Sequence, residues 1–179
     1  MTRSKYHIKM DEENAVLCNH RADLGGLIYD DNNVRELCGI PAGNGGLFVT
    51  AGDLQKFVKA IIAKDERLYP KEMFDLAEQN YTGGLDNLDI RRTTENHGLG
   101  FVYVNENCEQ ARELFPEGSI GHVGWSGQSF YLNREKKLYV ILLTNAMRCN
   151  AMKYGDTDSS RIHQMRINFH RAIKKDLGL

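Results

Sequence analysis

No stretch of the 179 residues approaches 18 consecutive apolar positions, so no membrane-spanning helix is predicted. The opening MTRSKYHIKMDEEN carries basic residues with no apolar run behind them, so no export signal is read there and the chain as it stands reads as cytoplasmic. An excess of either charge is also missing. The 23 basic and 24 acidic side chains nearly cancel, which removes the electrostatic reason to expect nucleic acid or an anionic surface as partner. Cys18, Cys38, Cys108 and Cys149 form no CxxC, which excludes the usual zinc knuckle and redox pair, and free buried thiols are expected instead. Cys18, His20 and Cys38 together offer three metal ligands, but Cys-x-His is not a common zinc spacing, and neither metal nor cofactor is expected. Internal repeats and low-complexity tracts are absent as well.

What is present suits one soluble globular domain, with 41% hydrophobic and 26% charged residues. At this length a chain buries roughly 68–70% of its unfolded surface, enough for a sizeable core. The first forty-odd residues read as irregular, with a turn-rich loop over residues 24–33. Thr50 is placed to N-cap a helix over 51–63, with Asp53 in the position of a carboxylate capping box and Leu54, Phe57, Val58, Ile61 and Ile62 at helical spacing. A second helix is predicted from Pro70 or Lys71 to Gln79, with Met73, Leu76 and Ala77 on one face. Residues 82–96 read as a loop, 98–104 as a strand and 109–114 as a short helical turn.

Three extended pieces, 120–124, 128–133 and 138–144, predict an antiparallel three-stranded meander. A closing helix over 159–177 should pack on it through Ile162, Met165, Phe169, Ala172, Ile173 and Leu177, with Gly178 at C′. Its basic residues Arg161, Arg166, Arg171, Lys174 and Lys175 are read as a solvated face, because no aromatic residues interleave with them as a nucleic-acid surface would require.

The stretch from Ser119 to Phe130, SIGHVGWSGQSF, raises the possibility of a nucleophilic serine. It misses the GxSxG elbow, since Gly127 comes one residue too early and the residues after it are strand-like rather than helical. No spacing ties His20 or His97 to Ser126, and His122 lies on the same short segment, so a self-contained triad is not favoured.

Three ordered segments carry a resemblance: GLIYDDNNV from Gly26, GNGGLFVTAGDLQKF from Gly43, and GHVGWSGQS from Gly121. Followed by the strand Tyr139 to Asn145 and a terminal helix, they resemble the serine β-lactamase-like family, which includes class C β-lactamases, penicillin-binding proteins and related esterases. The resemblance spans about residues 20–175 and implies an α+β, partial β-lactamase/transpeptidase-like fold. Residues 20–80 would hold late helices of the helical subdomain and 98–179 the sheet strands and final helix of a single, incomplete domain.

The resemblance also implies roles. His122 would take the place of the family's motif lysine, the Trp125 backbone N–H would be an oxyanion donor, and Val123, Gly124 and Ser126 would line the substrate groove. The other reading of His122 is a polar strand residue bonded to a neighbour. The family's nucleophile belongs to an SxxK motif, and none of Ser4, Ser119, Ser126, Ser129, Ser159 or Ser160 has a lysine three residues on. Tyr103-Val104-Asn105 spells the family's YxN but comes after the G-L-F segment instead of preceding it, so it is read as unrelated.

The expectation is therefore the C-terminal part of a hydrolase for β-lactam, D-Ala peptide or ester substrates, inactive as this chain. The alternative is a non-catalytic module that binds a small-molecule or peptidoglycan-like ligand. Without the family's N-terminal strands, the strand at 138–144 would present an open edge, and self-association through it is expected.

Overall fold

A computed structural model describes residues 1–6, 19–21, 26–28, 45–83, 95–146 and 159–179, with 19–21, 26–28 and 159 described as backbone only. Two short strands, β1 (Asn19–Arg21) and β2 (Gly26–Ile28), pair with each other, so part of the stretch read as a loop is extended. Helices α1 (Ala51–Ile62) and α2 (Lys71–Ala77) come after them. Next are β3 (Asn96–His97), β4 (Val102–Tyr103), β5 (Ile120–Val123), β6 (Ser129–Asn133) and β7 (Leu138–Leu142), and then α3 (Ser159–Asp176). Strands β3 to β7 form one antiparallel sheet in chain order, so the fold is mixed α+β with a five-stranded sheet, in which β3 and β4 add to the three strands expected over 120–144 and β4 lies within the strand expected over 98–104.

The two extra strands come from a correction. Residues 98–104 do not run as one strand. The Gly98 N–H donates to the Phe101 carbonyl at 2.8 Å and folds the segment into a tight turn between β3 and β4. Glycine is required at position 98, where a Cβ would lie 2.2 Å from the Ala77 carbonyl oxygen.

Alternation along the strands sends side chains to two separate cores. Ile120, Phe130, Leu132, Tyr139 and Ile141 face α1 and α2, where Val58, Ile61 and Phe74 are buried. Val102, Val104, Tyr131 and Val140 face the other way, onto the turns that carry Cys108, Ala111 and Phe115 and onto Phe169 and Ile173 of α3. Helices thus cover both faces of the sheet, and the closing helix packs on it as its pattern predicted.

Local signals explain the helix ends. The Thr50 hydroxyl accepts from the Asp53 N–H at 3.3 Å, as a cap should. The Asp53 carboxylate does not complete a capping box. It is buried and accepts instead from the Lys56 ammonium, the Arg3 N–H and the Ser4 hydroxyl, and these bonds hold it well below the usual carboxylate range. At the other end of α1, Arg134 from the β6–β7 turn donates to the Ile61 and Ile62 carbonyls at 2.6 and 2.8 Å and pairs with Glu78.

Two expected helix faces are corrected. In α2 the buried residue is Phe74, while Met73 and Leu76 are exposed. In α3 the buried positions are Ile162, Arg166 and His170, and Ala172 and Leu177 are exposed, so the inward row includes two polar residues at four-residue spacing. Gly178 has a φ of 67° and its N–H reaches the Lys175 carbonyl, in keeping with its place just past the helix end.

Candidate functional site: an open strand edge at a clamped hairpin

Strands β5 and β6 pair in the register His122↔Phe130 and Val123↔Ser129. Their loop is tight because the Gly124 N–H donates to the Gln128 carbonyl at 2.7 Å and the Gly127 N–H to the Gly124 carbonyl at 3.0 Å. Gly127 has a φ of 102°, the left-handed geometry that ends a three-residue hairpin loop with a bulge. A side chain there would be strained and would also meet Thr144 Cγ2 at 2.9 Å. The small residues of SIGHVGWSGQSF are therefore explained first by a turn and by packing.

On its other side β5 is paired only at Tyr103↔Ile120 and Val102↔Gly121. From His122 onward the edge is open among the described residues. An antiparallel ladder alternates its hydrogen bonds, so with Gly124 directed at β6 the Val123 peptide groups turn toward that open edge. The Trp125 N–H makes no hydrogen bond among the described residues, and its indole stands 64% exposed at the hairpin tip.

Beside this edge, on the α1/α2 face, lies a cavity of about 650 Å³ lined by His122 and by apolar residues that include Phe57, Met73, Phe101 and Phe130. That volume lies in the range of small-molecule pockets. His122 is exposed, and its Nδ1 contacts the Val123 carbonyl oxygen at 2.8 Å. A carbonyl oxygen only accepts, so Nδ1 carries the proton in this contact.

Arg166 holds the hairpin from behind. Only 6% exposed, its guanidinium donates to the carbonyls of Gly124 at 2.6 Å, Gly127 at 3.1 Å and Gln128 at 3.1 Å, and to Gln110 Oε1 at 2.8 Å. This overturns its place on a solvated basic face, although Arg161 and Arg171 do lie at the surface. Burial lowers its pKa from the usual guanidinium value. Across the trans peptide bond the Trp125 N–H points opposite to the Gly124 carbonyl that Arg166 holds. The signal for this clamp was available in the sequence, since Arg166 lies one helical turn after Ile162 and one before His170.

The residues singled out in the sequence fall into two groups. His122, the peptide groups of Val123 and the N–H of Trp125 come together along the open edge, while both peptide groups of Gly124 are bonded on the β6 side. Val123's side chain packs into the α3-side core, so only its backbone faces the edge. Ser126 is 5% exposed, with its carbonyl accepting from the Ala146 N–H at 2.9 Å, and Ser129 is buried with its hydroxyl unpartnered. Ser4 and Ser119 are bonded to Asp53, and to Pro116 and Asn133, respectively. Among the described residues, none of these four serines is hydrogen-bonded to a histidine or lysine. Cys108 is a free buried thiol, which burial pushes up to about 12 in pKa. Cys18, Cys38, Cys149, the side chain of His20 and most of the segment from Gly26 to Val34 lie outside the described residues.

No helix among the described residues is long and apolar enough to cross a membrane. No curated protein matches the chain. A family model described as beta-lactamase matches residues 7–162, a span that runs through the Thr50-capped helix and the clamped hairpin as far as the first turn of α3. The chain belongs to the beta-lactamase family.

Proposed function

We propose that the chain provides one wall of an acyl-transfer groove of the serine β-lactamase and penicillin-binding-protein kind, as the wall-forming part of a single domain that is inactive without a nucleophile from elsewhere. The carrying observation is the β5 edge, open among the described residues, where the Trp125 N–H has no partner among them, beside a cavity lined by His122. An unbonded N–H aimed at a carbonyl oxygen is what stabilises a developing oxyanion. Val123 carries the substrate along the edge through its peptide groups, Gly124 leaves room for it by having no side chain, His122 occupies the motif-lysine position, and Ser126 supports the turn. The missing part is the activated serine, because the 179 residues hold no SxxK.

The test is exposure of the purified chain to a chromogenic β-lactam, a short-chain ester and a fluorescent penicillin. No hydrolysis and no covalent labelling are expected, and activity should appear on mixing with a polypeptide that supplies SxxK. Labelling of the chain alone that disappears in Ser126→Ala would sink this reading and restore a nucleophilic Ser126.

A second reading, a binding module that uses the same wall without turnover, is favoured by the cavity itself, which the chain forms from its own described residues. It expects saturable, stoichiometric binding of a peptidoglycan-like or small acyl ligand, weakened by His122→Ala.

A further inference from the structure

Among the described residues, the peptide unit that joins Gly124 to Trp125 is hydrogen-bonded at one end only. Its carbonyl oxygen accepts from Arg166 Nη2 at 2.6 Å and from the Gly127 N–H at 3.0 Å, while the Trp125 N–H has no partner. Of the three carbonyls that Arg166 reaches, this one makes the shortest contact. Arginine keeps its charge in proteins even where, as here, burial lowers its pKa. The carboxylate that offsets this charge stands at one remove: Arg166 Nη1 donates to Gln110 Oε1 at 2.8 Å, and Gln110 Nε2 donates to Glu95 Oε1 at 2.6 Å. The shortest bond of the guanidinium therefore falls on a peptide. A charge-assisted bond to a carbonyl draws electron density toward that oxygen and leaves the N–H of the same amide more positive, and burial keeps water from screening the effect.

We propose that Arg166 is a positioning residue that also polarises the Gly124–Trp125 peptide, which makes the Trp125 N–H a stronger donor to a negatively charged ligand oxygen than an ordinary peptide N–H. The proposal rests on the groove reading for its ligand, since the acyl oxygen that gains charge during acyl transfer is the one that meets this N–H. The polarisation itself belongs to the chain alone and is measurable without ligand.

Base-catalysed exchange of an amide hydrogen passes through an anion whose charge sits on the carbonyl oxygen, so a cation bonded to that oxygen speeds it. In isotope-labelled full chain, followed by NMR above pH 6.5 so that His170 is neutral, Trp125 should exchange faster than in an unstructured peptide of residues 122–127. The expected ratio is about tenfold, the equivalent of one pKa unit in amide acidity. Arg166→Met should bring the rate down to the peptide's; a purely structural role gives no way to exceed that rate in the parent chain. Glu95→Gln leaves Arg166 in place and removes the offsetting charge, so it should raise the rate further, and it decides the matter if Arg166→Met does not fold. A parent rate at or below the peptide's, or no rise in Glu95→Gln, would overturn the polarisation. Saturating benzylpenicillin separates this from the groove reading. Fast exchange with no benzylpenicillin-induced shift at Trp125 would keep the polarisation and overturn the groove. A shift at Trp125 with exchange at the peptide's rate would keep the groove and overturn the polarisation.

Discussion

The guanidinium of Arg166 donates to the Gly124 carbonyl oxygen at 2.6 Å, across 42 residues of chain. The same side chain reaches Gly127, Gln128 and Gln110, so one buried cation on α3 determines how the hairpin tip is presented. Arg166→Met should therefore lower stability by on the order of 3 kcal/mol, because it leaves the Gly127 carbonyl and Gln110 Oε1 without their donor and removes the second donor from the Gly124 and Gln128 carbonyls. Arg166→Lys should recover only part of this, since an ammonium cannot span the positions the planar fork reaches. Urea denaturation measures the loss, and the amide shifts of residues 124–128 should move in both variants. An unchanged midpoint in Arg166→Met would show that the clamp contributes nothing.

Two glycines should respond in opposite directions to alanine. A Cβ on Gly121 would sit 2.3 Å from the Phe130 carbonyl oxygen and from the Tyr131 ring, inside the sheet. Gly121→Ala should cost about 1–3 kcal/mol or more through overpacking. Gly52, exposed in the first turn of α1, has nothing within 4 Å of that position. Gly52→Ala should stabilise by roughly 0.5–1 kcal/mol through helix propensity. Thermal melts of the two variants beside the parent chain check both signs.

His170 gives the fold an acid-sensitive point. Its Nδ1 bonds the Gln110 carbonyl at 2.5 Å, its Nε2 is buried without a partner, and the rings of Phe115, Tyr131 and Phe169 surround it. Burial lowers its pKa from 6.5, the Gln110 carbonyl opposes that shift, and the nearby Arg166 charge adds to it. A depressed histidine means that the unfolded chain takes up its proton first as pH falls. Its contribution is fully present above pH 6.5 and is lost as pH falls through the lowered value. The urea midpoint should drop between pH 7.5 and 5.5, and the drop should be smaller in His170→Gln. Equal slopes in the two proteins would remove His170 as the cause.

The outer edge of β7 has no strand partner among the described residues, and Leu143 beyond its end is exposed. An unpaired edge is a template for another strand, so the chain should self-associate with rising concentration. Light scattering should detect this, and Leu143→Lys should reduce it by placing a charge beside the edge. A monomer at all concentrations, with slow amide exchange over residues 138–142, would mean that the edge is covered from within the chain.

Much of this was legible along the chain because the signals are local. Thr50 caps a helix that ends within a residue of the expected boundary, since an oxygen three residues before an N–H is a short-range geometry. Short extended apolar runs broken by turn residues announced β5, β6 and β7, and Gly178 marked the end of α3. The turn at Gly98 was not legible, because what demands glycine there is the Ala77 carbonyl, 21 residues earlier. Phe74 and Met73 also could not be told apart by a seven-residue helix with two apolar neighbours; the position of the sheet chose between them.

The sequence by itself determined the family, through three ordered motifs, and the lack of an SxxK serine, because both are properties of residue order. Only the tertiary structure decided that the turn in SIGHVGWSGQSF is fastened from behind by Arg166 and, among the described residues, open in front at Trp125. Whether a basic side chain is solvated or buried, and whether a peptide N–H is paired or free, depends on what distant segments bring against it. No local pattern carries that information.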